Sequence, residues 1–220
     1  LPDEQMKHII DFTNRGGSVA GLRTATHSFQ YAPDSDSAYV KYTFNSAEFD
    51  GGYGRQVLGE TWVNHHGHHG HESTRGVIAD GAADHPVLRG VEDVWGPTDV
   101  YGITTLTGDP TVLLDGQVLV GMDPSDGPKA DTETMPLAWV KEYTGETGNT
   151  SRVFCTTMGA ANDLACEDLR RLVVNVCYWG VGMEDDIPAR NVADIVGEYE
   201  PTNFGFGTFK PGVRPSDLAL

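Results

Sequence analysis

The sequence predicts an α/β fold, on two observations. Residues 2–14 space Met6, Ile9, Ile10 and Thr13 along one helical face, and the chain then passes through Gly16-Gly17 straight into a short apolar segment, 18–22. A helix feeding a short buried strand is the signature of a parallel sheet. Later, 163–180 carries Leu164, Leu169, Leu172, Val173, Val176 and Trp179 as a broad apolar stripe, with Asn162 or Asp163 able to cap it.

Between these helices the elements read in order. Val19, Ala20 and Leu22 make 18–22 a buried strand, and Arg23 to His27 then lie at its C-terminal end, where open α/β sheets bind ligands. Residues 31–52 are polar and glycine-containing, an excursion from the sheet. Residues 53–58 suit a short helix and 64–71 a loop. A strand is expected over 74–79, and a turn leading into a helical turn over 84–90, where Pro86 fixes φ and His85 bonds within the turn. Further strands are expected over 100–104, 111–114 with 117–120, 137–143 and 152–157, spaced as antiparallel hairpins. Residues 1–187 then form one α/β domain. Residues 188–220 form an irregular tail, with Phe204, Phe206 and Phe209 among glycines packing across the surface.

Charge narrows the partners. Fifteen Lys and Arg stand against 32 Asp and Glu, a net of −17, without any long acidic run. Nucleic acid and anionic membranes are polyanions that need a basic face, so neither is an expected partner. The longest apolar stretch, 172–182, contains Asn175 and falls short of the ~20 residues a bilayer span needs. The opening Leu-Pro-Asp-Glu, without Met, reads as a helix start inside a longer chain and leaves the compartment open, whether cytoplasmic, periplasmic or secreted. Cys155, Cys166 and Cys177 form no CxxC motif. On one helix Cys166 and Cys177 lie roughly 16 Å apart, too far for a disulfide, and all three read as small buried hydrophobes, with a nucleophilic or redox thiol as the alternative.

Residues 64–72, Asn-His-His-Gly-His-His-Gly-His-Glu, hold five of the eight histidines within seven positions. Imidazoles bind zinc and similar metals, a carboxylate adds an oxygen ligand, and glycines let such a loop fold back on itself. The spacing matches no compact zinc motif: Glu72 follows the last histidine. Three readings stay open. His65, His68, His71 and Glu72 are the candidate ligands of a divalent metal such as zinc. His66 and His69, with His27, are candidate acid–base groups, because imidazole titrates at ~6.5, near neutrality. Alternatively the loop is structural. Asp99 could orient one imidazole. Arg23, Thr24, Asn64 and Arg75 are candidate substrate contacts, Arg75 having a salt bridge as its plainer role. Trp62 and Trp95 could stack on a sugar face, with burial in the core as the competing role for each.

Several strings together resemble the ThuA-like, trehalose-utilisation-like family: Gly-Leu-Arg-Thr-Ala-Thr-His at 21–27, Asp-His-Pro-Val-Leu-Arg-Gly at 84–90, and Pro136-Leu137-Ala138-Trp139 leading to Gly148 and Arg152-Val153-Phe154. Leu169-Arg170-Arg171-Leu172 through Trp179 is similar to that family's closing helix. Segments 59–67 and 96–101 resemble a bacterial subgroup found in planctomycetes. The resemblance covers about residues 1–185. It implies a flavodoxin-like sheet of the class I glutamine amidotransferase-like type whose first β-α units are missing here, leaving an uncovered sheet edge. It also implies a carbohydrate-related small-molecule substrate, on which the histidine loop would perform hydrolase or lyase chemistry, with a divalent metal assisting if one is bound. The amidotransferase relatives place a nucleophilic Cys in a Gly-x-Cys-x-Gly turn. The matching stretch here is 21–25 and holds Arg23, so a Cys-dependent glutaminase is not expected. Ala160 stands where many relatives carry a His after the glycine of a late strand. The competing reading is a non-catalytic module that binds sugar or protein and has lost its nucleophile. Oligomeric state is not legible.

Overall fold

A computed structural model describes residues 1–203, 205 and 211–218, and Phe204, Phe206 and Phe209 lie outside them. The chain is an α/β protein built on a curled six-stranded mixed sheet. Helix α1 spans Asp3–Asn14 and helix α2 Glu167–Gly180. The strands are β1 Val19–Leu22, β2 His65–His66, β3 Thr74–Ile78, β4 Val94–Gly96, β5 Val100–Tyr101, β6 Thr111–Val118, β7 Met135–Thr144 and β8 Thr150–Thr156. The large sheet runs β1-β8-β7-β6-β3-β4, and β2 and β5 form a separate two-stranded ribbon. Only β1 and β8 pair in parallel; the other neighbours in the large sheet are antiparallel. The short link 145–149 accounts for the antiparallel β7–β8 pair, since a parallel neighbour needs a long crossover.

The pleat sorts the central strands onto two cores. Val153 and Cys155 of β8 and Trp139 of β7 pack with Met6 and Ile10 of α1. Phe154 of β8, with Ala138 and Val140 of β7, packs instead with Leu169, Leu172 and Val176 of α2. The two helices therefore cover opposite faces, and the sheet is the middle layer. α1 follows the expected periodicity, with Met6, Ile10 and Thr13 buried. Thr13 is buried because it donates to the Ile9 carbonyl and meets the Tyr53 hydroxyl at 3.1 Å.

Several expectations need correction. β1 is not a buried strand: only Gly21 is buried, because β1 is outermost and pairs on one side alone. The two short strands expected over 111–120 are one strand, β6, with an irregular register between Val112 and Asp115. The strand expected over 100–104 ends at Tyr101. Asn162 and Asp163 do not cap α2. Asp163 opens a separate 3-10 turn, and the helix begins after Cys166. Cys155 is buried as expected, but Cys177 is exposed. Neither Trp62 nor Trp95 is a core residue; both are half-buried, and the core tryptophan is Trp139.

Polar contacts dock the outlying segments on α2. Asn175 Nδ2 donates to the Val87 and Arg89 carbonyls, each at 3.0 Å, fixing the 84–90 turn. Beyond residue 187 the chain runs beside the same helix: Arg171 Nε donates to the Asn191 carbonyl at 2.8 Å and Arg170 Nε to that of Ala193 at 2.7 Å. Among the described residues no helix is long and apolar enough to cross a membrane.

Candidate functional site

The site begins where β1 ends. Arg23 follows Leu22 with φ +44°, a left-handed conformation that a side chain bearing a Cβ adopts at a cost. The turn is closed by small residues: a Cβ on Gly21 would lie 2.9 Å from Leu58 Cδ1 and 3.4 Å from Ala25 Cβ. This sharp turn aims the buried Arg23 side chain across to the segment before β5. There Arg23 Nη1 donates to the Asp99 carbonyl at 2.6 Å and to Thr98 Oγ1 at 3.2 Å. Nη2 lies 3.7 Å from Asp99 Oδ1, and the guanidinium sits 4.9 Å from the centre of the Tyr101 ring.

Asp99 is fully buried, yet both of its oxygens face histidines. Oδ2 is hydrogen-bonded to His65 Nδ1, and Oδ1 lies 2.6 Å from His69 Nδ1. Two features bring these groups together. The β2–β5 ribbon pairs His65 with Tyr101, which fixes His65 beside the strand that Asp99 precedes. Gly67 then turns the chain with φ +101°, and a Cβ there would sit 3.4 Å from Asp99 Cβ, so a glycine lets the loop fold back onto the aspartate. Among the described residues, His65, His69 and Asp99 are the one group of three whose ligand atoms converge, all within 4.8 Å.

An aromatic wall stands beside this triad. The His27 ring lies 5.5 Å from Tyr101, 5.7 Å from Trp62 and 6.1 Å from Phe44, centre to centre. His65 shares two of these neighbours, Trp62 at 5.9 Å and Tyr101 at 5.7 Å. Burial, with smaller contributions from Arg23 and His65, holds the His27 imidazole below its usual titration range, so it is neutral at neutral pH. Burial raises the Tyr101 phenol in the same way. Behind the triad, Asp163 is fully buried and accepts from Thr98 Oγ1 at 2.7 Å and from the Gly159 and Ala160 amides at 3.0 and 2.9 Å. Thr98 thus links the two buried aspartates, and Arg23 is the cation between them.

Of the residues expected at a site, the structure gathers Arg23, His27, Trp62, His65, His69 and Asp99. The others go elsewhere. His66 Nε2 donates to the Glu133 carbonyl at 2.8 Å. His68 and His71 stack on each other, ring centres 4.5 Å apart. Glu72 accepts from the His68 amide and pairs with Lys129, each at 2.7 Å, and the lysine holds its carboxyl below the usual range. Arg75 pairs with Asp93 at 2.7 Å, its plainer role. Trp95 Nε1 donates to Ser73 Oγ at 3.3 Å. Thr24 is exposed on the Arg23 turn, and Asn64 anchors the loop by accepting the Gly102 amide through its carbonyl at 3.0 Å. The metal set read from the loop alone, His65, His68, His71 and Glu72, is therefore not assembled; only His65 of the four meets the triad.

Tyr101, Thr98 and Asp163 are the site residues that sequence reasoning missed. Tyr101 carried a signal, since it lies two residues after Asp99 in an extended segment and two positions share a face. Asp163 looked like a helix cap, and nothing local distinguishes a cap from a buried aspartate. The cysteines do not enter the site: Cys155 is fully buried within the sheet, and burial pushes its thiol far up. Compared with protein families, with curated proteins and with solved structures, the chain finds no match.

Proposed function

We propose that the side-chain cluster at the end of β1 is the working site of a ThuA-like protein that acts on a carbohydrate or a related polar small molecule. The observation that carries this is one buried carboxylate gripping two half-exposed imidazoles beside an aromatic wall. In this reading Arg23 and the β2–β5 ribbon hold Asp99. Asp99 holds His65 and His69, and that pair polarises a substrate carbonyl or an attacking water. His27, kept neutral by its surroundings, takes the proton. Trp62 offers a ring face for the apolar side of a sugar. The same parts serve a hydrolase, with water as the nucleophile, or a lyase, with a carbon acid next to a carbonyl as the proton donor. On the same proposal, β1 and β8 between α1 and α2 are the parallel portion of a flavodoxin-like sheet, residues 1–187 form the domain, and the chain beyond is its tail.

A second reading has its own observation. The strained turn after β1 is where amidotransferase-like relatives keep a nucleophile, and here it holds Arg23 with its guanidinium committed to Asp99 and Thr98. A binding module without catalysis follows from that. A screen of disaccharides and their keto derivatives separates the two. Turnover that falls by about 10²–10⁴-fold in His27→Gln supports the enzyme. Saturable binding without turnover supports the module. Neither binding nor turnover overturns both.

A further inference from the structure

We propose that His65, His69 and Asp99 are the ligands of a divalent ion of the zinc class. The inference concerns the same cluster and rests on the reading of it as a working site, in that it names the agent through which the His–Asp pair polarises a ligand. Three arguments on geometry and chemistry support it. The two Nδ1 atoms and the carboxylate converge within 4.8 Å, a span that zinc closes with bonds of about 2.0–2.2 Å to nitrogen and oxygen. Two imidazoles and one carboxylate are the donor set of zinc and its first-row neighbours rather than of magnesium or calcium, which prefer oxygen throughout. The ligands are also graded in exposure: the Asp99 side chain is fully buried, while those of His65 and His69 are 45% and 59% exposed. A structural zinc site is closed, so an ion fixed from below and open above has positions left for water or a substrate oxygen.

The second layer fits as well. Outer partners that hold a ligand in place are part of a metal site. Arg23 bonds the Asp99 carbonyl, and the ribbon register fixes the backbone of His65. Proton bookkeeping needs no other reagent. Without an ion, each ring donates its Nδ1 proton to Asp99. When the ion binds, each ring passes to the tautomer protonated at Nε2, and Nδ1 and the carboxylate turn their lone pairs to the metal. Arg23 adds one positive charge near Asp99, and buried Asp163, bonded through Thr98, supplies the compensating negative one.

The test uses the whole chain stripped with a chelator and titrated with Co²⁺ and Zn²⁺. The expected result is one ion per chain with a visible Co²⁺ ligand-field spectrum. His69→Ala, which removes a half-exposed side chain, should lower affinity by at least about 100-fold. His65→Ala and Asp99→Asn should do the same, while His68→Ala and His71→Ala stay within threefold of the parent, an expectation on the order of experimental scatter for residues outside a site. The proposal is overturned if the parent takes up no stoichiometric ion. It is equally overturned if His68→Ala and His71→Ala weaken binding as much as His69→Ala, since the loop would then be an unstructured histidine chelator. A sugar that still binds the stripped protein, with no ion bound by the parent, removes the metal and leaves the proposed function standing. An ion bound without any sugar does the reverse.

Discussion

Two halves of one histidine loop have opposite fates. His65 and His69 end on a buried aspartate thirty or more residues away in sequence. His68 and His71 end on each other at the surface, over a turn closed by Glu72 and Lys129. All four are the same residue type within seven positions, so composition cannot separate them. A partner outside the loop does: the chain reverses at Gly67, and only the residues two positions to either side of it, His65 and His69, face the carboxylate. A cluster of histidines thus offers several rings of one kind, and a buried charge decides which of them converge.

The largest effect should come from removing that charge. Asp99→Asn leaves Arg23 buried without its carboxylate, and breaking a buried pair from one side costs about 3–5 kcal/mol. Chemical denaturation should show that loss, and the two halves of the loop should then become alike in accessibility to histidine-modifying reagents. A loss under ~1 kcal/mol, the value of a surface pair, would mean that Asp99 is not the organiser. A smaller contrast should appear between single alanines. His69→Ala removes the 2.6 Å contact to a buried oxygen and should cost about 1–3 kcal/mol. His68→Ala removes only a surface stack and should stay within about 0.5 kcal/mol of the parent. Equal losses for the two would erase the distinction.

Much of the frame was legible from local pattern. The periodicity of α1, the run of β3 and the antiparallel pairing of β7 and β8 follow from spacing and link length, which are local. The gathering of polar groups at the end of β1 was legible for the same reason: strand ends are where α/β sheets expose side chains to ligands, and Arg23 and His27 follow that strand. The Asp99 pairing was legible only as a possibility, because a sequence shows that an aspartate exists but not which of several imidazoles it meets. The choice of His65 and His69 over His68 and His71 depends on the β2–β5 ribbon, two residues per strand and too short to carry a period. The exposure of β1 was illegible as well, since Val19 and Ala20 look alike in a central strand and at an edge.

Acid should act on histidines outside the loop in a definite direction. Burial lowers the pKa of His27 and of His85, whose Nδ1 accepts the Val87 amide at 3.4 Å and so must be unprotonated. Both titrate near 6.5 when unfolded. The unfolded chain therefore takes up these protons first, and their contribution is complete above pH 6.5 and declines as pH falls from there toward their lowered folded values. Denaturation midpoints followed from pH 7.5 downward should drop, and His85→Gln should flatten part of that drop. An unchanged slope in His85→Gln would remove it from the account.

The smallest effect belongs to the surface half of the loop. Glu72 accepts the His68 amide and pairs with Lys129, whose side chain is 42% exposed. An ion pair in that setting is worth about 0–1 kcal/mol. Because Lys129 depresses the Glu72 carboxyl, its contribution is present above pH 4.5 and is lost as pH falls through the lower folded value, the acid-side counterpart of the histidine effect. Glu72→Gln keeps the shape and can still accept the amide hydrogen bond, so it tests the charge alone. Stability at pH 7 should fall by at most ~1 kcal/mol, and the difference from the parent should vanish once pH has fallen below the lowered folded value of the carboxyl. Chemical shifts of His65 and His69 should stay where they are in the parent. Displacement of those two signals would show that the surface turn, and not the buried aspartate, sets the geometry of the other half.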